Sequence, residues 1–219
     1  MPLNDTTILV PAAGSGERLG LGPKALLELA GKPLVTWVTQ KLLSLTDAVV
    51  VAAPPGDVAT VADAAAGCVC VAGGETRQES IGLMLPHAGR EYVMLADVAR
   101  PFISRELFIS VLEAARERGV GAAFLQPNVP VAEIIDNAIC RAIPAKQAGL
   151  FQVPHAFTRQ GLVRLYEQAS RNNWQTQSTL ELAICNGEDV AIVEGEQANI
   201  KLTTAEDWRM AQYMLEYLE

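Results

Sequence analysis

A glycine-rich stretch near the start of the chain has the composition of an anion-binding loop. Residues 8–20 read Ile-Leu-Val-Pro-Ala-Ala-Gly-Ser-Gly-Glu-Arg-Leu-Gly, and a Pro-Lys pair ending at Lys24 follows. The apolar run 8–11 is short and lacks a helical period, which predicts a buried strand. The small residues after it let backbone N–H groups approach an anion, and Arg18 and Lys24 add positive charge. The stretch therefore predicts a phosphate-binding cradle at the end of a strand.

Two common phosphate-binding loops do not match this stretch. The dinucleotide fingerprint needs a third glycine where Leu19 stands, and a Walker A loop needs a Gly-Lys-Ser/Thr triplet that the sequence lacks. A tight strand-to-helix turn without a ligand is the simplest alternative. The pairing of Ala-Ala-Gly-x-Gly-x-Arg with the nearby Pro-Lys is more specific. It resembles the signature loop of nucleotidyltransferases that activate sugar or polyol phosphates.

A second candidate loop follows the apolar run 68–72, at a point where an α/β sheet binds its ligands. It reads Gly-Gly-Glu-Thr-Arg-Gln-Glu-Ser from Gly73 to Ser80. The paired glycines permit close approach of a base or a ribose. The alternative interpretation is a polar loop in which Ser80 caps a helix.

Two charged residues stand in similar positions further along the chain. Asp97 follows the apolar run 92–96, and Lys201 lies between apolar neighbours just before a predicted helix. A lone carboxylate facing a triphosphate suits Mg²⁺, which takes one or two carboxylates plus phosphate oxygens. The alternatives are that Asp97 pairs with Arg100 or caps a turn, and that Lys201 is an ordinary surface cation.

Composition narrows the class of protein. A chain of 219 residues with 50% hydrophobic residues can form one substantial core, and its net charge of −8 argues against a nucleic-acid partner. Four cysteines without a Cys-x-x-Cys pair, and two histidines, favour thiols in a reducing compartment over a zinc site. The start of the chain has no signal-peptide pattern, and no apolar run is long enough to span a membrane. We expect a cytoplasmic protein without a membrane partner.

The elements that must position these loops alternate between apolar runs and amphipathic stretches. Such alternation predicts an α/β fold, a doubly wound, mostly parallel twisted sheet flanked by helices, in a single domain over residues 1–219. Strands are predicted at 8–11, 48–53, 68–72, 92–96, 121–125 and 190–194. Helices are predicted at 23–29, 33–45, 57–66, 80–85, 105–118, 159–171, 178–186 and 205–219.

The alternation breaks within residues 126–157. Residues 132–135 and 138–143, separated by Asp136-Asn137, have the pattern of a hairpin projecting from the sheet. Its apolar residues make it a candidate dimerisation arm, although a flap folded back on the chain fits the same pattern.

Five sequence blocks occur in one order along the chain: Ala-Ala-Gly-x-Gly-x-Arg, Pro-Lys, Gly-Gly-x-x-Arg-x-x-Ser, Asp-x-Ala-Arg-Pro and Asn-Ile-Lys-x-Thr-Thr-x-x-Asp. Together they resemble the 2-C-methyl-D-erythritol 4-phosphate cytidylyltransferase family from Ile8 to the C-terminus. The resemblance implies a Rossmann-like nucleotidyltransferase fold and a homodimer clasped by a β-arm. It also implies CTP as substrate, Mg²⁺ as cofactor, and synthesis of CDP-methylerythritol and pyrophosphate in non-mevalonate isoprenoid biosynthesis.

The same resemblance implies roles for individual residues. Arg18 and Lys24 would hold the triphosphate, and Lys201 would contact the α-phosphate, as the catalytic cations. Asp97 would bind Mg²⁺ or ribose. The implied nucleotide-binding residues are Pro11, Ala12, Ala13, Gly14, Ser15, Gly16, Gly74, Glu75, Ser80, Asp97, Val98 and Arg100.

Departures from the family pattern fall mainly on the acceptor side. Glu-Ile-Ile-Asp from Glu133 stands where the family has Asp-Thr-Ile/Leu-Lys, and Gln-Val-Pro-His ending at His155 stands where it has Gln-Thr-Pro-Gln. Thr-Gln-Ser ending at Ser178 replaces Thr-Asp-Asp/Glu. The candidate acceptor-binding residues are Glu133, Lys146, Ser178 and Thr179.

These departures leave several functions open. The first is transfer of CMP from CTP to methylerythritol phosphate, by in-line attack of the acceptor phosphate without an enzyme nucleophile. A second is cytidylyl transfer to another polyol or sugar phosphate. A third is a CTP-binding paralogue or regulatory module without turnover, and a fourth is a sugar-nucleotide pyrophosphorylase that uses UTP or GTP with a hexose 1-phosphate.

Overall fold

A computed structural model of the chain describes residues 3–14, 16 and 22–216. Its strands are β1 (Thr6–Pro11), β2 (Glu28–Leu29), β3 (Lys32–Pro33), β4 (Val49–Ala53), β5 (Val69–Ala72), β6 (Tyr92–Leu95), β7 (Val120–Leu125), β8 (Val131–Ile135), β9 (Ala138–Ile143), β10 (Leu150–Thr158) and β11 (Val190–Glu194). Its α-helices are α1 (Leu34–Leu43), α2 (Val58–Ala64), α3 (Arg77–Met84), α4 (Arg105–Arg118), α5 (Arg159–Asn172), α6 (Thr179–Cys185) and α7 (Ala205–Glu216).

Seven of these strands form one sheet in the order β11-β7-β10-β6-β1-β4-β5. Every neighbouring pair is parallel except the two pairs made by β10, which runs antiparallel to both β6 and β7. The predicted mostly parallel sheet is therefore confirmed. Because β1, β4, β5 and β6 are parallel, their carboxyl ends lie along one edge of the sheet, where ligands bind in such folds.

Successive side chains of β1 point to opposite faces of the sheet, and both faces are covered. Ile8 and Val10 belong to a core that includes the apolar stripes of α1 and α4, whereas Leu9 packs with residues of α3 and α5. All three side chains are fully buried. Burial on both faces explains why the strand reads as a continuous apolar run. Burial on both faces also fixes the end of β1, where the loop begins.

Helix α4 shows how local signals set its ends. The Ser104 side chain accepts a hydrogen bond from the Leu107 N–H, which caps the first turn. Gly119 follows the last residue with a φ of 87°, which ends the helix in a conformation that favours glycine. The helix therefore occupies the predicted range 105–118. No helix in the described ranges is both long and apolar enough to cross a membrane.

Two predicted helices differ from the structure. Residues 23–29 form a 3₁₀ turn at Lys24–Leu26 followed by β2, because Ala30 and Gly31, both with positive φ, turn the chain back into β3. Helix α3 begins before the predicted Ser80. Thr76 is its N-cap, and Thr76 and Glu79 form a reciprocal capping box. Prediction of a helix at 23–29 and of Ser80 as a helix start was wrong.

The break in alternation contains both a strand and a hairpin. Strand β10 was not predicted, because its run includes Gln152 and Pro154 and its pairing with β7 shifts between Phe151 and His155. Strands β8 and β9 form a two-stranded sheet with no further strand among the described residues, and their bounds lie within one residue of the predicted ranges. Asp136 and Asn137 both have positive φ, as a two-residue hairpin turn requires. We refer to residues 131–143 as the arm.

Candidate active site

A cavity of about 390 Å³ opens at the carboxyl ends of β1, β5 and β6. The loop after β1 contributes residues 11–14 and 16, together with Lys24. The loop after β5 and the start of α3 contribute residues 74–77 and Ser80, and the loop after β6 contributes residues 97–99. Lys201, from the segment before α7, also lines the cavity. The structure thus brings together most of the residues to which the sequence assigned nucleotide binding.

The described residues of the loop after β1 extend the strand at Ala12 and adopt a turn conformation at Gly16. The Ala12 N–H donates to the Ala52 carbonyl at 2.8 Å, which extends the pairing with β4 by one residue. Gly16 has a φ of 70°, and a side chain there would overlap the Gly22 carbonyl oxygen. Gly14 faces open space, so its backbone is accessible from the cavity. Ser15 and Arg18, also assigned to this loop, lie outside the described residues.

Lys24 links this loop to the segment that carries Lys201. Its ammonium donates a hydrogen bond of 2.8 Å to the main-chain carbonyl of Leu202, the residue after Lys201. The two contacting residues are 178 positions apart in the chain. Two lysines distant in sequence therefore border the same cavity, as a site for a polyphosphate requires.

Asp97 pairs with Lys201 rather than with Arg100. The Lys201 ammonium lies 2.9 Å from one Asp97 carboxylate oxygen, and the Ala99 N–H donates to the other at 3.0 Å. Burial raises the pKa of the Asp97 carboxyl, but the charges of Lys201 and Arg77 and the hydrogen bond from Ala99 outweigh it, so this pKa lies below its usual value. Asp97 is therefore ionised at neutral pH.

The loop after β5 is shaped by Ser80. The Gly74 N–H donates to the Ser80 hydroxyl at 3.1 Å, and this hydroxyl donates to the Thr76 carbonyl at 2.9 Å. A side chain at Gly73 would overlap the Ala13 Cβ, so glycine lets the two loops meet. The first turn of α3, which carries the positive end of the helix dipole, borders the cavity beside Glu75.

Arg77, Thr76 and Ala99 line the cavity although the sequence analysis assigned them no role. Arg77 is the first residue of α3, and its charge helps to lower the pKa of Asp97. The sequence offered a signal for Arg77: a cation three residues after a Gly-Gly pair that ends a strand is well placed to bind an anion at the sheet edge. The sequence analysis did not use this signal. Arg100 is not among the described residues that line the cavity, and its guanidinium donates to the main-chain carbonyl of Asn199.

The four candidate acceptor-binding residues do not line the cavity among the described residues. Glu133 lies on the arm and pairs with Arg141 at 3.1 Å, and Lys146 is exposed in a 3₁₀ turn. Ser178 caps α6, and Thr179 is buried beside the Tyr166 hydroxyl at 3.3 Å. Within one chain the structure therefore does not bring these four side chains together.

The carboxylates at the cavity suit a metal held jointly with a nucleotide. In residues 3–14, 16 and 22–216, no cluster of three or more His, Cys, Asp or Glu side chains could hold a metal by itself. Asp97 and Glu75 are the carboxylates among the described lining residues. Mg²⁺ is commonly bound by one or two carboxylates plus substrate phosphates. The donor set fits that ion.

Comparison with known proteins identifies a matching family. The model of the 2-C-methyl-D-erythritol 4-phosphate cytidylyltransferase family matches residues 6–217. An enzyme of that name from Thermus thermophilus is 36% identical over 214 residues, which cover 95% of this chain and 96% of the relative. Another, from Deinococcus radiodurans, is 32% identical over 98% of this chain and 91% of its own length.

Solved structures agree with the sequence comparison. The crystal structure of a Thermus thermophilus enzyme of the same name superposes with a TM-score of 0.82 at 31% identity, covering 96% of this chain and 98% of that one. The 4-diphosphocytidyl-2C-methyl-D-erythritol synthase from Anaerococcus prevotii has a TM-score of 0.86 at 24% identity, covering 97% and 99% of the two chains, which supports the fold alone. The predicted fold class is confirmed.

Proposed function

The chain belongs to the 2-C-methyl-D-erythritol 4-phosphate cytidylyltransferase family, and from this membership we infer its reaction. It transfers the cytidylyl group of CTP to 2-C-methyl-D-erythritol 4-phosphate, and it releases pyrophosphate. The products are those of a step in isoprenoid biosynthesis. Within this structure, one observation supports the assignment. Lys24, Lys201 and Asp97 line the same cavity as the glycine-rich loop after β1.

The transfer needs positioning and charge more than a protein nucleophile. An oxygen of the acceptor phosphate attacks the α-phosphorus of CTP, a new P–O bond forms, and the bond to the bridging oxygen of pyrophosphate breaks. Because the acceptor phosphate is already anionic, no base has to remove a proton from it. The protein contributes alignment of the two phosphates and cations beside the charge that accumulates.

We assign that task to Lys24, Lys201 and Arg18. Lys24 and Lys201 lie far apart in sequence but both line the cavity. A triphosphate in the cradle would be within reach of both cations. Removing one donor or cation that stabilises a transition state typically lowers kcat by about 100- to 1,000-fold. Backbone N–H groups of residues 13–16, the loop at Gly74 to Ser80, and Val98 complete the nucleotide site in this proposal, and Pro11 and Ala12 line the cavity beside them.

We also propose that Mg²⁺ accompanies CTP, with Asp97 as its protein ligand. The ion would neutralise triphosphate charge when it is bound. Support comes from the ionised, buried carboxylate of Asp97 at the cavity and from the need for phosphate oxygens to complete its ligand set. Arg100 supports this loop through Asn199 instead of touching the nucleotide.

The choice of acceptor is tested by pyrophosphate release. Purified protein is incubated with CTP and Mg²⁺, with and without methylerythritol phosphate. Release only in the presence of that acceptor is the expected result. Release with another polyol phosphate, or CTP binding without release, would contradict the assignment in favour of a different acceptor or of a binding paralogue. Turnover of UTP or GTP with a hexose 1-phosphate would indicate a sugar-nucleotide pyrophosphorylase.

We propose that the chain forms a homodimer through the arm. Two isolated strands are marginally stable in water, yet in the described part of the chain β8 and β9 have no third strand beside them and leave large apolar side chains exposed. These exposed apolar side chains, on the arm and just before it, are Val129, Ile134, Ile135 and Ile139. A second copy that covers this surface supplies the missing burial.

We further propose one nucleotidyltransferase domain over residues 1–219 and a cytoplasmic location. The single-domain proposal is supported by the seven-stranded sheet, whose strands span the chain from Thr6 to Glu194.

The proposed cytoplasmic location is supported by the four cysteines, which are all free thiols. Burial raises the pKa of Cys68 to about 12, as expected of an inert core thiol.

A further inference from the structure

Lys201 lies in a segment without regular structure. Residues 195–204 connect β11 to α7, and none of them belongs to a helix or strand. Such a segment lacks a ladder of backbone hydrogen bonds, so contacts with the rest of the molecule must fix its position. These contacts converge on two buried amide side chains, Gln152 in β10 and Asn199 in the segment itself.

Gln152 pairs with the backbone of Glu196 as a neighbouring strand would. Its Nε2 donates to the Glu196 carbonyl at 2.9 Å, and the Glu196 N–H donates to its Oε1 at 3.0 Å. This pairing occurs where the register of β10 with β7 shifts. A side chain at Gly195 would overlap the Gln152 Oε1, so the glycine permits the close approach.

Asn199 is fully buried and completes the network. Its Nδ2 donates to the Val153 carbonyl at 2.7 Å and to the Gln152 Oε1 at 3.3 Å. Its main-chain carbonyl accepts from the Gln152 Nε2 at 3.4 Å and from the Arg100 guanidinium. Leaving one such buried polar group unpaired costs about 1–3 kcal/mol, so the two amides specify one arrangement of the segment.

The network also ties this segment to the loop that carries Asp97. The Arg100 N–H donates to the Asp97 carbonyl at 3.1 Å, and the Leu202 N–H donates to the Ala99 carbonyl at 2.8 Å. The backbone is therefore held on both sides of Lys201, at Asn199 and at Leu202. Anchoring on both sides fixes the position of the Lys201 backbone, and with it the distance of the ammonium from Asp97.

We propose that Gln152 and Asn199 are positioning residues that hold Lys201 at the reacting phosphate. Neither residue lines the cavity among the described residues, so each acts through the lysine rather than on the substrate. The proposal rests on the proposed function, in which Lys201 contacts the α-phosphate. Loss of the network should lower kcat and leave KM for CTP nearly unchanged, because the cradle that binds CTP stays intact.

The test compares Gln152→Ala with Gln168→Ala. Gln168 is a matched control, because its amide oxygen is also buried but lies on α5, away from the segment. We expect Gln152→Ala to lower kcat by about 10- to 100-fold, as small misplacements of catalytic groups do, with KM for CTP within about twofold. Gln168→Ala should leave kcat unchanged.

The deciding comparison repeats Gln152→Ala in a Lys201→Ala background. If Gln152 acts through Lys201, the second substitution causes no further loss of kcat. An equal loss in both backgrounds, or a rise in KM with normal kcat, would overturn the proposal. If Gln152→Ala does not fold, Gly195→Ala replaces it, because its methyl group displaces the same amide without removing it.

A second readout does not depend on catalysis. Hydrogen exchange of the backbone amides in residues 195–202 should be faster in Gln152→Ala than in wild type and unchanged in Gln168→Ala. Unchanged exchange in Gln152→Ala would overturn the positioning role. A wild-type protein that releases no pyrophosphate would instead contradict the proposed function, while the exchange result would still decide the structural part.

Discussion

The Lys201 ammonium and the Asp97 carboxylate form an ion pair of 2.9 Å in the lining of the cavity. The proposed reaction gives each of them another partner, a phosphate for the lysine and a metal for the carboxylate. In the free protein each charge is thus held in place and neutralised by the other. In the proposed reaction, binding of CTP with Mg²⁺ would replace this ion pair by two new contacts.

Substitution Lys201→Ala tests the catalytic half of this relationship. We expect kcat for pyrophosphate release to fall by about 100- to 1,000-fold, because the transition state loses a cation. Lys32→Ala is a matched control, since Lys32 contacts Gln40 and the Trp37 ring and lies outside the cavity. Near-normal kcat in Lys201→Ala would show that this lysine only neutralises Asp97.

Substitution Asp97→Asn tests the metal half. The amide keeps the shape of the side chain but removes its charge, so binding of Mn²⁺, used as a spectroscopic substitute for Mg²⁺, in the presence of CTP should weaken at least about tenfold. Titration followed by electron paramagnetic resonance measures this affinity. Glu75→Gln serves as the comparison at the same cavity. Equal metal affinity in wild type and Asp97→Asn would mean that the carboxylate is structural.

His155 makes the free energy of unfolding depend on pH. Burial, together with the charges of Arg77 and Arg100, lowers its pKa to about 3, although the Gln152 carbonyl and Asp97 favour the protonated ring. Neither ring nitrogen has a hydrogen-bond partner of normal geometry among the described residues. The unfolded chain therefore binds the proton more readily than the folded chain, and stability falls as the pH drops from about 6.5 towards 3.

Substitution His155→Gln should remove this dependence. Between pH 7 and pH 5 the wild type should lose about 2 kcal/mol more unfolding free energy than the variant, the value expected for a site that titrates at 6.5 only when unfolded. Urea unfolding at the two pH values measures the difference. Equal losses in both proteins would show that His155 is already protonated, or solvated, in the native state.

Substitution Ile139→Glu tests the arm as a dimer interface. Ile139 is 74% exposed in the single chain, so a charge there should not affect folding but should separate the subunits by burying an unpaired carboxylate. Ile192→Glu, at a 66% exposed isoleucine on β11, is the matched control. Sedimentation should find a monomer for the first variant and a dimer for the second. A dimer in both cases would place the interface elsewhere.

The parts of the fold that the sequence predicted well are those set by local signals. The cap residue Ser104 and the terminating Gly119 directly flank helix α4 in the sequence. In the same way, Asp189 and Gly195 directly flank β11. The cradle after β1 was recognisable because its glycines and cations are close together in the chain. These features need no knowledge of distant partners.

Other features depend on partners far apart in sequence. The apolar spacing of residues 23–29 suits a helix, but pairing of β2 with β3 overrides it. Gln152 and Asn199 are 47 positions apart, and nothing local marks either amide as buried. Arg77 is an intermediate case, because its place one turn before Ser80 is a local signal but its effect on Asp97 exists only in the folded sheet. The four candidate acceptor-binding residues lie apart within one chain, and no local spacing marks them as neighbours.

The antiparallel insertion of β10 has a consequence for how such proteins diversify. Leu125 at the end of β7 and Leu150 at the start of β10 are direct partners in the sheet. Residues 126–149 therefore leave the sheet and return to it at a single point. A segment that leaves and re-enters the sheet at one point can change in length or sequence without altering the strands on either side of it. The loops after β1, β5 and β6, which line the cavity, can keep their geometry when it does. Under the proposed dimer, a change in this segment alters the contact between subunits without replacing any described residue that lines the cavity.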